Sequence, residues 1–534
     1  MATQWQTFPI EFRGGLISNL SPLQHGVNAV GSATILQNFE PSKEGGYSKI
    51  RGYEKYDTNA VAGAGPILGV KVVNAGEALA IRSDGVNSKV YHSTGTGWTL
   101  KATASLNGSK VRFAELNFGA GHIVIGVDGV NYPFAFDDTT NTVTYFSSPS
   151  DVQGAAYVAV FKSTAFYAKG TNLYFTAPSS YNDFSAANGG GVINIGHTIT
   201  GLTVFRDQLI VFSRNNINRI TGSSISDFVV SPITDRIGCI DGDTIQEVGG
   251  DIMYVAPDGI RLLSATDRIG DFGLDVPSDT IAKDAYSFLQ SSSNFCSLVL
   301  REKAQYRILA YVASEQDSAA RGLIATKFSS QGAGSIAWAT TKGIKAYCAD
   351  SKYTDGYNET TIFANEDGYV YELDTGSDFD GSIIEAIYES PFMPLTDPQV
   401  RKTFYKMAIY ADPLGSMTLD VNLKYDFDTG VGIGSIKPDT FTVSSSGDAV
   451  FIFGTTTSVF GPADPTDPTQ VDTTDPSYDP TKSYATFGGE LDKIYNTNII
   501  GSGKTIAIRI EDGTTNPSFT LDTAILEFRQ NDRQ

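Results

Sequence analysis

Hydrophobic and polar positions alternate with a short period through most of the chain, most clearly from Ile199 to Gly222. Gln208 to Ser213 is a run of β-formers, Asn215-Asn216 tolerates the positive φ values of a two-residue hairpin loop, and Ile217 to Thr221 returns with alternating side chains. This predicts a β-hairpin. Similar turn pairs stand at Asp84-Gly85, Asp128-Gly129, Lys169-Gly170, Asp258-Gly259 and Glu302-Lys303, so with Asn215 their first positions are separated by 44, 41, 46, 43 and 44 residues. A repeat in the low forties, with strands on both sides of each turn, is the spacing of four-stranded propeller blades, which bury their faces only against their neighbours. The expectation is an all-β chain with a central β-propeller over 61–384. The next turn, Asp367-Gly368, follows after 65 residues, which predicts one blade with an insertion and about seven blades in all, some irregular.

Outside the repeat the texture differs. Residues 1–60 are strand-rich without the blade spacing: Gly45-Gly46 reads as a turn, and alternation from Tyr47 to Tyr53 as a strand. From 385 to 534 the alternating runs are longer, at Lys406 to Tyr410, Met417 to Tyr425, Ala449 to Phe453, Ile506 to Ile510 and Ala524 to Phe528. They predict a C-terminal antiparallel sheet or sandwich that can lend strands to close the propeller. Within it, 461–480 carries five prolines and five aspartates and reads as an extended loop. Pro277 to Leu289 is the best helix candidate, with Ser278 or Asp279 to cap it and Ile281, Ala285, Phe288 and Leu289 at helical spacing.

At 534 residues the chain exceeds the roughly 250–300 at which single cores stop growing, so an accessory domain beside the repeat is expected. The formal charge of -20 argues against a surface that grips nucleic acid, where affinity comes from neutralising phosphates. Cys239, Cys296 and Cys348 are odd in number and far apart, which encodes neither a disulfide framework nor a CxxC metal site; they read as reduced thiols. The N-terminus lacks the apolar core of a signal peptide, and no stretch approaches 18 apolar residues, so cytosolic synthesis without membrane insertion is expected.

Four groups of residues bear on chemistry. Gly501-Ser502-Gly503-Lys504-Thr505 looks like the end of a phosphate-binding loop, but Asn498 stands where the first glycine is needed. A strand-like run also follows it in place of a helix, so a hairpin turn is expected. His25, His92, His122 and His197 share no ligand spacing, and no Gly-x-Ser-x-Gly elbow is present. Asp374, Asp378 and Asp380, and the loop aspartates Asp464, Asp467, Asp472, Asp475 and Asp479, offer oxygen atoms without the twelve-residue calcium-loop pattern. No catalytic set, metal or cofactor is therefore expected.

The order of several short motifs resembles one known family. Gly14-Gly15-Leu16, Asn38-Phe39-Glu40-Pro41, Gly45-Gly46-Tyr47 and Arg51-Gly52-Tyr53 open the chain; Asp128-Gly129-Val130-Asn131-Tyr132-Pro133 and Asn172-Leu173-Tyr174-Phe175 follow. Together with Ile199-Thr200-Gly201-Leu202 they are similar to the tail nozzle, or packaged-DNA stabilisation, proteins of short-tailed bacteriophages, over roughly 10–390. The resemblance implies a structural virion protein, not an enzyme, assembled in the host cytoplasm as a homohexameric ring. It implies portal and adaptor proteins and tail fibres or a tail tip as partners, with genomic DNA passing through unread. Phe12, Arg13, Tyr47, Arg51 and Tyr53 are the candidate partner or inter-subunit surface, and the five loop aspartates the candidate gate or mobile loop. The rival expectation is a propeller-type tail protein that binds or hydrolyses host glycans, which needs two carboxylates across a cleft. The Ser-x-Asp-x-Gly-x-Thr-Trp boxes of sialidases are missing, and Trp5, Trp98 and Trp338 are the only tryptophans for sugar stacking.

Overall fold

The computed structural model describes residues 5–117, 121–264, 276–328, 336–355, 358–427, 439–445, 458–460, 483–485 and 494–531. The expected gate aspartates, Asp464 to Asp479, and the expected strand at 449–453 lie outside them. The chain divides into two compact units: one is continuous, Tyr53–Thr375, and the other joins both ends, Met1–Gly52 with Gly376–Gln534. The N-terminal segment and the C-terminal domain, expected as separate parts, therefore form one terminal unit.

Among the described residues, Tyr53–Thr375 holds seven antiparallel sheets, over 67–103, 112–145, 157–194, 199–234, 246–262, 294–342 and 348–373; the sixth is the four-stranded part of a nine-stranded sheet and the others are small. In the fourth, Leu209 pairs with Ile220 and Phe212 with Ile217 across the Asn215-Asn216 turn. Leu209, Ile210, Val211 and Phe212 are all buried, so this second strand is covered on both faces. The reason is sheet-on-sheet packing. One apolar cluster joins Phe166, Leu173 and Phe175 of the third sheet to Leu209, Val211 and Ile220 of the fourth. Another joins Ile210 and Phe212 to Ile252 and Tyr254 of the fifth. A third packs Val70, Val72 and Ala78 of the first sheet against Ile362, Ala364 and Val370 of the last. Gly201 permits the approach of the fifth sheet to the fourth, since a Cβ there would stand 2.3 Å from Ile245 Cδ1.

Polar side chains also cross between sheets where first and second strands are joined. Lys162 pairs with Asp207, Arg206 Nη2 donates to Gly250 O at 2.8 Å, Lys327 Nζ to Gly249 O at 3.0 Å, and Arg301 Nη1 to Glu359 Oε1 at 2.7 Å.

Three differences from the expected pattern have physical causes. The seventh sheet is completed by Tyr53–Lys55, paired with Tyr371, Glu372 and Leu373, so its fourth strand comes from the N-terminal side and not from the C-terminal domain. The run from Tyr47 to Tyr53 is two strands, Tyr47–Lys49 and Tyr53–Lys55, in different units. Gly52 forces the break between them, since a Cβ there would meet Asp378 O at 1.7 Å. Glu302-Lys303 joins the first and second strands of its sheet, whereas the other turns join second to third. The long interval after it therefore spans two different kinds of turn, Glu302-Lys303 between first and second strands and Asp367-Gly368 between second and third.

The helix candidate is a 3-10 turn, Pro277–Ile281, followed by an α-helix, Ala282–Ser291. Neither Ser278 nor Asp279 caps it. Ser278 Oγ instead accepts from Ile260 N at 3.0 Å, and the helix lies along the three-stranded fifth sheet beside Gly259–Leu262. A second helix, Pro22–Asn28, was hidden by Gly26, whose missing side chain admits Phe392 O at 1.9 Å from a Cβ position.

The terminal unit is built from longer strands. Phe519–Gln530 pairs with Lys402–Pro413 on one side and with Gln6–Glu11 and Tyr47–Lys49 on the other. A second set runs Ile35–Gln37, Ala386–Glu389, Ile506–Asp512, Met417–Tyr425 and Asp439–Ser445. Ring contacts Tyr47–Tyr388 and Phe404–Tyr425, each at 5.6 Å between centroids, join the two sets across one core.

Candidate functional site

The first strands of the seven sheets converge on one cavity of about 190 Å³. Val70, Arg112, Val158, Leu202, Cys296 and Cys348 reach it from six of them, and Asp243, on the 3-10 turn Gly242–Thr244, with Gln246 from the fifth.

One ion-pair cluster lines this hub, and a second reaches it through Lys71 and Asp350. In one, Asp243 receives Arg112 Nε at 2.6 Å and Nη2 at 2.8 Å, and Lys110 Nζ at 3.0 Å. The Arg112 guanidinium also lies 4.4 Å from the Tyr157 ring centroid and donates to Ala156 O at 3.2 Å. Lys110 Nζ donates to Phe295 O at 2.6 Å. In the other, Lys71 Nζ lies 2.7 Å from Glu115 Oε1 and 3.1 Å from Asp350, and Lys352 Nζ lies 2.6 Å from Glu115 Oε2. His122 Nε2 lies 2.9 Å from Glu115 Oε2, and its Nδ1 lies 3.6 Å from Asp138 Oδ2. The ion pairs tie the first, second, fifth and seventh sheets together, and the contacts of Arg112 with Tyr157 and Ala156 and of Lys110 with Phe295 add the third and sixth.

The electrostatics follow from the partners. Burial works against the charges of Asp243 and Glu115, but the cations beside them prevail and hold each carboxyl down at about 2. Asp241, two residues away and facing Asp243, is pushed upward by burial and by that neighbouring charge. Burial lifts the Cys296 and Cys239 thiols to about 12 and raises Cys348 too, so all three are buried free thiols without nucleophilic activation. The hub thus offers matched charges already in contact, with one carboxyl of contrasting character at its edge.

The sequence-predicted residues lie elsewhere. Phe12 and Tyr47 are buried, packed on Tyr388 at 4.9 and 5.6 Å, and Tyr53 packs on Phe363 and Tyr371, each at 5.0 Å. These three are core residues and cannot form the expected partner surface. Arg13 and Arg51 are exposed, Arg13 pairing with Glu11 at 3.1 Å. Asp374 receives Lys303 Nζ at 2.6 Å, and Asp378 closes its own turn on Gly381 N at 2.6 Å. Gly501 to Gly503 ends a strand, and the amides of Lys504 and Thr505 bind Asp426 Oδ1 at 2.5 and 3.2 Å. The place a phosphate would take is filled by a carboxylate of the same chain. The hub itself went unnoticed in the sequence, although Lys71 inside Leu68-Gly69-Val70-Lys71-Val72-Val73 is a signal: a lone charge in a β-forming run needs a buried partner.

No known protein family and no curated protein matches the chain. Among solved structures, the extracellular domain of the hybrid two component system BT3049 from B. thetaiotaomicron is similar at 9% identity and a TM-score of 0.37. The match covers 59% of this chain and 40% of that one. No helix among the described residues is long and apolar enough to cross a membrane.

Proposed function

We propose that Tyr53–Thr375 is a seven-bladed β-propeller and that the chain is a structural protein of a short-tailed phage virion. In this reading it is one protomer of a tail nozzle ring, a homohexamer, below the portal and adaptor. The ring retains the packaged genome and opens for ejection. The observation that supports this best is the hub, where the inner strands meet around matched, mutually bonded charges. A cavity of about 190 Å³ has room for about six water molecules at roughly 30 Å³ each. Such a centre fastens sheets together; DNA would have to pass between protomers. The test is light scattering on the purified chain, alone and with its neighbouring tail proteins. Mass near six times 57.2 kDa, alone or with an adaptor, supports the ring. A persistent monomer that joins no such complex rejects it.

One observation favours the glycan-hydrolysing alternative: adjacent carboxyls, Asp241 raised and Asp243 lowered, have the contrast of an acid and base pair. Against it, both oxygens of Asp243 are engaged by Arg112 and Lys110. Glycan cleavage by purified protein, abolished in Asp241→Asn, would establish that alternative in place of the nozzle.

A further inference from the structure

The fourth and fifth sheets leave between them a cleft of about 470 Å³, larger than the hub. That volume lies in the range of small-molecule sites, roughly 300–1,000 Å³. Its apolar walls are Phe205 and Ile210 of the fourth sheet, Ile233 of that sheet's outer strand, and Leu263 at the end of the fifth. Its polar groups are two guanidiniums and an amide, from Arg206, Arg219 and Gln208, together with Ser264, which is already bonded to Asp251. Among the described residues no carboxylate lines it, in a chain with 59 acidic and 39 basic side chains.

The arginine at the turn is held in place. Arg206 lies with its guanidinium 4.8 Å from the Phe205 ring centroid and donates Nη2 to Gly250 O at 2.8 Å. The remaining N–H groups of the fork have no hydrogen-bond partner among the described residues, nor does the Gln208 amide. A planar fork set against an aromatic face matches a carboxylate. We propose that this cleft binds a small organic anion, its carboxylate held by Arg206 and Gln208 and its apolar body lying on Phe205, Ile210, Ile233 and Leu263. A bare inorganic anion would leave those walls wet. The inference does not depend on the nozzle reading.

Isothermal calorimetry on the full chain tests it, with decanoate and inorganic phosphate as separate titrants. Saturable decanoate binding is expected, weakened about tenfold or more in Arg206→Gln, with no phosphate binding. Arg206 is exposed at a turn, so the variant's thermal unfolding should match the parent's. Ile233→Glu, which places a carboxylate against the apolar walls, should abolish binding independently. Failure of the parent chain to bind decanoate overturns the proposal, as does equal binding by both variants. Phosphate bound as tightly as decanoate overturns the apolar half of it.

Discussion

The two units solve strand pairing in opposite ways. In Tyr53–Thr375 partners are close in sequence: Leu209 faces Ile220, and the turn between them does the aligning. In the terminal unit Phe8 faces Leu526 and Tyr47 faces Leu521, so pairing waits on chain ends meeting across the whole sequence. Local pairing costs little loop entropy and folds fast; distant pairing reverses both. The charges differ too. Two clusters of ion pairs link the first, second, fifth and seventh sheets at their centre, whereas the terminal unit carries Lys49 and Asp512 as a fully buried pair at 3.2 Å, with Thr514 O and Asn516 O completing the lysine's bonds.

That contrast can be broken selectively. The largest effect is expected from Phe12→Ala, which empties an aromatic site in the terminal core at a cost of roughly 4 kcal/mol. Hydrogen exchange should rise in Phe519–Gln530, while the urea transition reported by buried Trp338 stays in place. A simultaneous shift of both would show that the units unfold as one. Asp243→Asn should do the reverse, loosening the seven sheets by roughly 3 kcal/mol because Lys110 and Arg112 lose their buried counter-charge. The Trp338 transition is the readout, and an unchanged midpoint would mean the hub contributes nothing to stability.

Acid sharpens the comparison further. Asp243 and Glu115 have carboxyls held below their ordinary values, so the stability they supply is complete above about pH 4.5 and is lost as pH falls through about 2. Asp243 contributes roughly 2 kcal/mol and Glu115 roughly 3 kcal/mol. Asp241, shifted the other way, offsets part of the loss. Urea midpoints of the seven-sheet unit measured from pH 6 to pH 2 should fall, and the fall should shrink in Glu115→Gln. The smallest effect is expected from Asp426→Ala, which frees the Lys504 and Thr505 amides for roughly 1 kcal/mol. If those amides then bound phosphate in solution, the turn would be a disguised anion site.

Legibility followed the same division. The turns at Asp84, Asp128, Lys169, Asn215, Asp258 and Asp367 were readable because a hairpin is written in adjacent residues: β-formers, two turn residues, β-formers. Met417–Tyr425 was readable because its alternation survives with one face buried. Phe12 and Tyr47 misled, since a motif's position near a chain end says nothing of what covers it; Tyr388 does. The hub was invisible as a site because Lys71, Asp243 and Asp350 are each unremarkable until three sheets bring them within 3.1 Å of a partner.

Local order, then, was encoded residue by residue: strand content, repeat spacing, the turns, and the unsuitability of Gly501 to Thr505 for phosphate. Side-chain alternation and backbone φ preference act over a few residues and need no distant partner. The fourth strand of the seventh sheet, Tyr53–Lys55, the union of the two chain ends and the pairing of Asp243 with Lys110 and Arg112 were settled only in three dimensions. Each depends on which surfaces meet, and that is decided by burial and charge compensation between residues tens to hundreds of positions apart.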